Sequence, residues 1–225
     1  GGGGGGRMRL SFNIEDGGVP MGPMLNRGFT DSWAGGANLN TSFSKRTSLS
    51  VNYFYNRIQN DLERSASRIN ALGDRDFNSD ETEDRLNRNA NHRLNLSLKH
   101  KIDSFQNLSF RSKFNFNDGL YRSLGDTRTF DTSALLQNLG NRNYNAEGQT
   151  IKGDASLTYR LRLGRKGRAL IASASANLAD DQRDATLLSS NEFLRQNPPG
   201  ISLVDQRQAY ADDASNFGGS LAYTE

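Results

Sequence analysis

Along residues 91–117 and 150–179, apolar and polar side chains change places almost one for one. On one parity the first stretch carries Leu94, Leu96 and Leu98, then Leu108, Phe110, Phe114 and Phe116. The other parity carries Arg93, Asn95, Ser97 and Lys99, then Ser109, Arg111, Lys113, Asn115 and Asn117. In the second stretch Ile151, Ala155, Leu157, Tyr159, Leu161 and Leu163 oppose Lys152, Asp154, Ser156, Thr158, Arg160 and Arg162. A period of two is the signature of a strand with one apolar and one polar face.

The unit behind this pattern is a strand, a short turn and a second strand. It predicts hairpins over about 33–58, 91–117 and 150–179, turning at Ser44-Lys45-Arg46, Asp103-Ser104-Phe105 and Gly164-Arg165-Lys166-Gly167. The segments between, 58–90, 118–148 and 180–214, lack the alternation and are expected to be long loops. An earlier strand is expected at about 7–14, where Met8, Leu10, Phe12 and Ile14 share one face, and a last one at about 216–224. Gly1 to Gly6 reads as a linker or loop remnant, and 7–225 as one unit.

Strand length separates two readings of such a sheet. From Leu108 to Phe116 the rise is about 26 Å at roughly 3.3 Å per residue. Ordinary strands have about 5–6 residues, whereas an outer-membrane barrel needs about 9–11 per strand and an apolar band about 25 Å tall. The expected fold class is therefore all-β: an antiparallel meander of about eight long strands, part of a transmembrane outer-membrane β-barrel. Apolar faces would meet lipid and polar faces the lumen. The alternative is a soluble secreted or surface β-sandwich presenting the long loops as a binding module.

Composition narrows this further. Only 34% of the 225 residues are hydrophobic, and no apolar run approaches the roughly 20 residues of a membrane helix. Cysteine is absent, which removes disulfides, thiolate metal sites and thiol catalysis. A net charge of +3 is too small to argue for nucleic acid. Any export signal is expected to lie upstream or to have been removed.

Two runs resemble a known family. Ser32-Trp33-Ala34-Gly35-Gly36-Ala37-Asn38-Leu39-Asn40 and Lys45-Arg46-Thr47-Ser48-Leu49-Ser50-Val51-Asn52-Tyr53-Phe54-Tyr55-Asn56-Arg57 are similar to Bacteroidetes outer-membrane β-barrel proteins of the TonB-dependent receptor type. Asn91 to Leu96 and Leu161 to Arg168 resemble the same family. The resemblance covers about 30–225 and rests on strand-like sequence. It implies residence in the cell outer membrane, contact with outer-membrane lipid, and uptake of a bulky nutrient energised by a TonB-type coupler acting through a plug region. No plug or coupling segment is recognisable in the chain, so the resemblance implies a segment of a larger barrel, with its substrate unknown.

Candidate chemistry is sparse. His92 and His100 are the only histidines and lie eight residues apart on one strand, too far to share a metal. Asp74, Asp76 and Asp80 invite a calcium site, but the spacing departs from an EF-hand loop, and a solvated loop is the plainer reading. No metal site, cofactor or catalytic residue is expected, and the chain is not read as an enzyme. Trp33, Tyr53, Tyr55, Tyr159 and Tyr223 fall on apolar faces and are expected to form an aromatic girdle at the lipid boundary. Arg111, Lys113, Arg160 and Arg162 are the candidates for the lumen face.

Overall fold

The computed structural model describes residues 28–71, 76–164, 167–195 and 198–225. It holds seven antiparallel strands: β1 (Phe29–Ser44), β2 (Thr47–Asn70), β3 (Phe77–Lys101), β4 (Gln106–Asp131), β5 (Leu136–Arg162), β6 (Ala169–Phe193) and β7 (Gly200–Thr224). They form one sheet in chain order, a meander, with β1 and β7 as its edges among the described residues. Among the described residues each strand contacts only its sequence neighbours, and no second layer stands over either face. The strand expected at about 7–14 lies outside the described residues.

Most strands run to 24–27 residues, far beyond the alternating stretches. The segments 58–90, 118–148 and 180–214, expected as long loops, are instead paired strand for most of their length. Arg57↔Ala90 through Asn70↔Phe77 extend the β2–β3 ladder, and β4–β5 and β6–β7 continue in the same way. The reason is local. In these extensions polar and charged residues dominate both parities, with only scattered apolar ones such as Leu62, Leu86 and Leu124. This hides the period, while cross-strand contacts hold the ladder. Arg68 meets Glu81 at 3.4 Å, the Asn141 amide donates to Asp126 at 2.8 Å, and Tyr121 stacks edge-on against Tyr144 at 5.8 Å.

Turns at both ends are short. Lys45 and Arg46 connect β1 to β2, and the Asp103 carboxylate accepts the backbone N–H groups of Phe105 and Gln106 between β3 and β4. At the opposite end Asp131 accepts from the N–H groups of Ser133 and Leu135, both at 2.9 Å, and from the Gln137 amide at 2.7 Å. Ala134 in that turn adopts φ 59°, the left-handed region. The extensions thus form three long hairpins on the side away from Lys45 and Arg46.

Candidate functional site

Register sorts every side chain onto one of two faces. Trp33, Tyr53, Tyr55, Tyr159 and Tyr223 share the apolar face, and Arg111, Lys113, Arg160 and Arg162 share the polar one. On the apolar face four rings form a continuous row across β1 to β4. Centroids lie 4.7 Å apart for Trp33–Tyr55, 4.5 Å for Tyr55–His92 and 5.7 Å for His92–Phe116. His92 Nδ1 also lies 2.7 Å from the Tyr53 hydroxyl. Tyr159 and Tyr223 sit at the other margin, near the short turns, where the Tyr159 hydroxyl donates to Gln106 at 2.6 Å. The five aromatics therefore divide between two margins, with Tyr53 just inside the upper one.

Between those margins the apolar residues form a band that runs obliquely across the strands. Away from the short turns its main run ends at Trp33, Tyr55, His92, Phe116, Ile151, Leu178 and Phe217. These are the last large side chains before the face turns polar or charged at Asp31, Arg57, Arg88, Asp118, Gln149, Asp180 and Ser215. Tyr55, His92, Phe116 and Ile151 share one register row, on which the later strands already carry Asp180 and Asp213. Trp33 lies two residues above that row, Leu178 two below and Phe217 four below. The boundary therefore drops about 20 Å across about 29 Å of sheet, a slope of about 35°, using the usual rise and strand spacing. The margin near the short turns follows it. Leu49 and Leu98 share a row, Leu108 lies two residues below it, and Leu161, Leu170 and Tyr223 lie four below. Beyond the upper margin both faces are mostly polar or charged, with scattered apolar side chains such as Phe29, Leu86, Leu124, Leu188 and Leu203.

Four of these seven are open to solvent, Trp33 at 56%, Ile151 at 38%, Leu178 at 54% and Phe217 at 77%, while Tyr55, His92 and Phe116 are half-buried. In the three extensions the polar face is the less exposed one, with Ser123, Glu83 and Ala146 buried there. Among the described residues no layer covers it, so the shelter comes from neighbouring side chains on the same face. A polar face less exposed than the opposite one is the reverse of the burial that builds a soluble core.

The polar face has three zones. Nearest the short turns, Arg111, Lys113, Arg160 and Arg162 are exposed. The register adds Arg93, Lys99 and Lys101 from β3 and Lys152 from β5 to the same zone. One carboxylate among the described residues, Asp154 opposite Lys113, shares it. Next comes a transverse amide belt. The Asn117 amide donates to Asn89 at 2.6 Å and also to Asn91, while the Thr150 hydroxyl donates to Asp181 at 3.2 Å.

The third zone, on the extensions, centres on Glu83, which is only 4% exposed. It accepts hydrogen bonds from Arg85 at 2.8 Å and Ser123 at 2.9 Å and pairs with Arg142 at 3.4 Å. Glu83 lies nine residues past His92, outside the apolar band. Burial pushes its carboxyl up, but the hydrogen bonds from Arg85 and Ser123 and the charges of Arg85 and Arg142 more than offset this. The result is below the usual carboxylate range. Asp131 is also lowered, first by the Leu135 N–H it accepts. Neither group is poised as an acid or base near neutral pH.

His92 and His100 occupy the apolar face at separate levels, His100 with its Nδ1 2.8 Å from the Thr47 hydroxyl. Asp74 lies outside the described residues, and among those described no cluster of three metal-ligating side chains occurs. The Glu83 cluster joins residues 40 and 59 positions apart and carries no periodic signal. The basic zone was legible only in part, because Arg93, Lys99, Lys101 and Lys152 need strand pairing to join the other four. No protein-family model matches the chain, and no curated protein matches it.

Proposed function

We propose that this chain is a wall segment of an outer-membrane receptor or transporter barrel, taking up a bulky nutrient with energy delivered by a TonB-type coupler. The oblique apolar band carries the reading. A barrel wall crosses the bilayer with strands tilted about 35–45°, so its lipid-facing band must cut the strands at that angle. A sandwich buries its apolar face against a second sheet and has no need of a band with two aromatic margins. On this reading lipid covers the apolar face, the basic and amide zones line the lumen, and the hairpin extensions stand outside the cell. The energised transport rests on the family resemblance, while the membrane wall rests on the band.

The test is reconstitution. The chain, refolded with phosphatidylcholine vesicles, should float with them through a density gradient and resist extraction by alkaline carbonate. A lipid-free, sharp monomer peak with cooperative unfolding would sink the membrane reading and favour the soluble binding module.

A further inference from the structure

The zone of the polar face nearest the short turns concentrates charge far beyond the chain's average. The whole chain carries a net +3. Within this one zone eight cations from β3, β4 and β5 face a single described carboxylate, Asp154. Seven of the eight are exposed, Lys152 being half-buried. From Arg93 to Lys101 the zone runs about 26 Å along the strand, and three adjacent strands make it about 10 Å wide. The flanking strands present Ser50 and Asn52 on one side and Ser173, Ser175 and Asn177 on the other, none of them charged. The result is a single positive track about as wide as one extended molecule, on a wall where an enclosed, low-dielectric lumen would focus its field.

Like charges crowded in this way repel one another, and nothing in the packing of the sheet requires them. Serine and asparagine occupy equivalent positions on β2 and β6 of the same ladder. We propose that this track binds an extended polyanion, a solute bearing several carboxylate, phosphate or sulfate groups. This deepens the transport reading by giving the chemical class of what the wall admits. A neutral solute gains nothing from eight cations, and lipid headgroups on the apolar face lie on the other side of the sheet. Arg111, Lys113, Arg160 and Arg162 are the central residues, the three arginines offering guanidinium forks matched to carboxylate or phosphate oxygens and Lys113 a point charge.

The probe is inorganic tripolyphosphate, titrated calorimetrically into the full chain in zwitterionic detergent. Binding is expected at low salt and should weaken about tenfold as salt rises toward physiological strength, because exposed charges are screened over about 8–10 Å. Replacing Arg111, Lys113, Arg160 and Arg162 together by Gln should lower affinity at least about tenfold. Replacing Arg57, Arg88, Arg122 and Arg128 by Gln removes the same charge from the opposite face and should change affinity less than about twofold. Equal losses in the two quadruple variants would reduce the effect to net charge and overturn the proposal. So would affinity indifferent to salt, or an absence of binding while both variants retain the wild-type circular dichroism. Track-dependent binding by a chain that fails to enter vesicles would keep the polyanion site and discard the lumen.

Discussion

The slope of the apolar band makes a quantitative claim about three residues that share one register row. Leu39 of β1, Leu96 of β3 and Phe217 of β7 are joined through the ladder Leu39↔Val51↔Leu96↔Ser112↔Ala155↔Ala176↔Phe217. If the band ran at right angles to the strands, all three would lie at one depth. With a slope of about 35°, the six strand spacings between Leu39 and Phe217 separate them by about 17 Å along the membrane normal. Leu39 and Leu96 then fall near the middle of a band about 25 Å tall, and Phe217 at its margin. An arginine facing lipid costs about 2–4 kcal/mol at the midplane and about 0–1 near the interface. Each Arg variant is compared with Ala at the same site, which removes the lost packing. The penalty for Leu39→Arg and Leu96→Arg should exceed that for Phe217→Arg by about 2–3 kcal/mol, roughly 30- to 150-fold in the folding equilibrium. Urea titration of the full parent barrel folding into vesicles, read by heat-modifiable gel mobility, measures it. Equal penalties at the three sites would refute the tilt, and negligible penalties at all three would refute the membrane.

Glu83→Gln should weaken the outer β3–β4–β5 extension by about 1–2 kcal/mol at pH 7, because two arginines lose their charged partner. The lowered carboxyl contributes stability above its unfolded value near 4.5, and this is lost as pH falls through the folded value. The wild-type advantage, followed by urea-dependent proteolysis of the hairpins, should therefore vanish in acid, and an advantage that persists there would contradict the ion-pair account. Ala134→Val should destabilise the 131–135 turn, since a β-branched residue is poorly accommodated at positive φ, whereas Ala134→Gly should be nearly neutral. Hydrogen exchange at Leu135 and Gln137 distinguishes the two. Trypsin added to intact cells expressing the full parent barrel should cut at the hairpin tip beside Arg195 and spare Lys45 and Arg46. The opposite pattern would invert the topology.

Much of the sheet is legible from parity alone. Leu94, Leu96 and Leu98 against Arg93, Asn95 and Ser97 assign both faces of β3 without coordinates, because the side-chain period of a strand is two. The extensions escape that reading for a physical reason. Once both faces meet water, as at Arg85-Leu86-Asn87-Arg88 or Gln182-Arg183-Asp184, no alternation is required and charge content mimics a loop. The obliquity of the band is hidden for a different reason. It is a relation between strands, and becomes visible only when register places Phe217 on the row of Leu39. The Glu83–Ser123–Arg142 cluster is likewise made by pairing, with only the Glu83-x-Arg85 spacing visible along one strand.

The strand count has an arithmetic of its own. In a meander direction reverses at every step, so β1 and β7, six steps apart, point the same way. Joining those two edges directly would require a parallel ladder in an otherwise antiparallel sheet. Setting a second copy beside the first, upright in the same membrane, brings together the same two directions and leaves the mismatch in place. An all-antiparallel cylinder therefore needs an odd number of additional strands between β7 and β1, beginning and ending with one that runs from the short turns toward the hairpin tips. The total is then even, the parity of bacterial single-chain barrels.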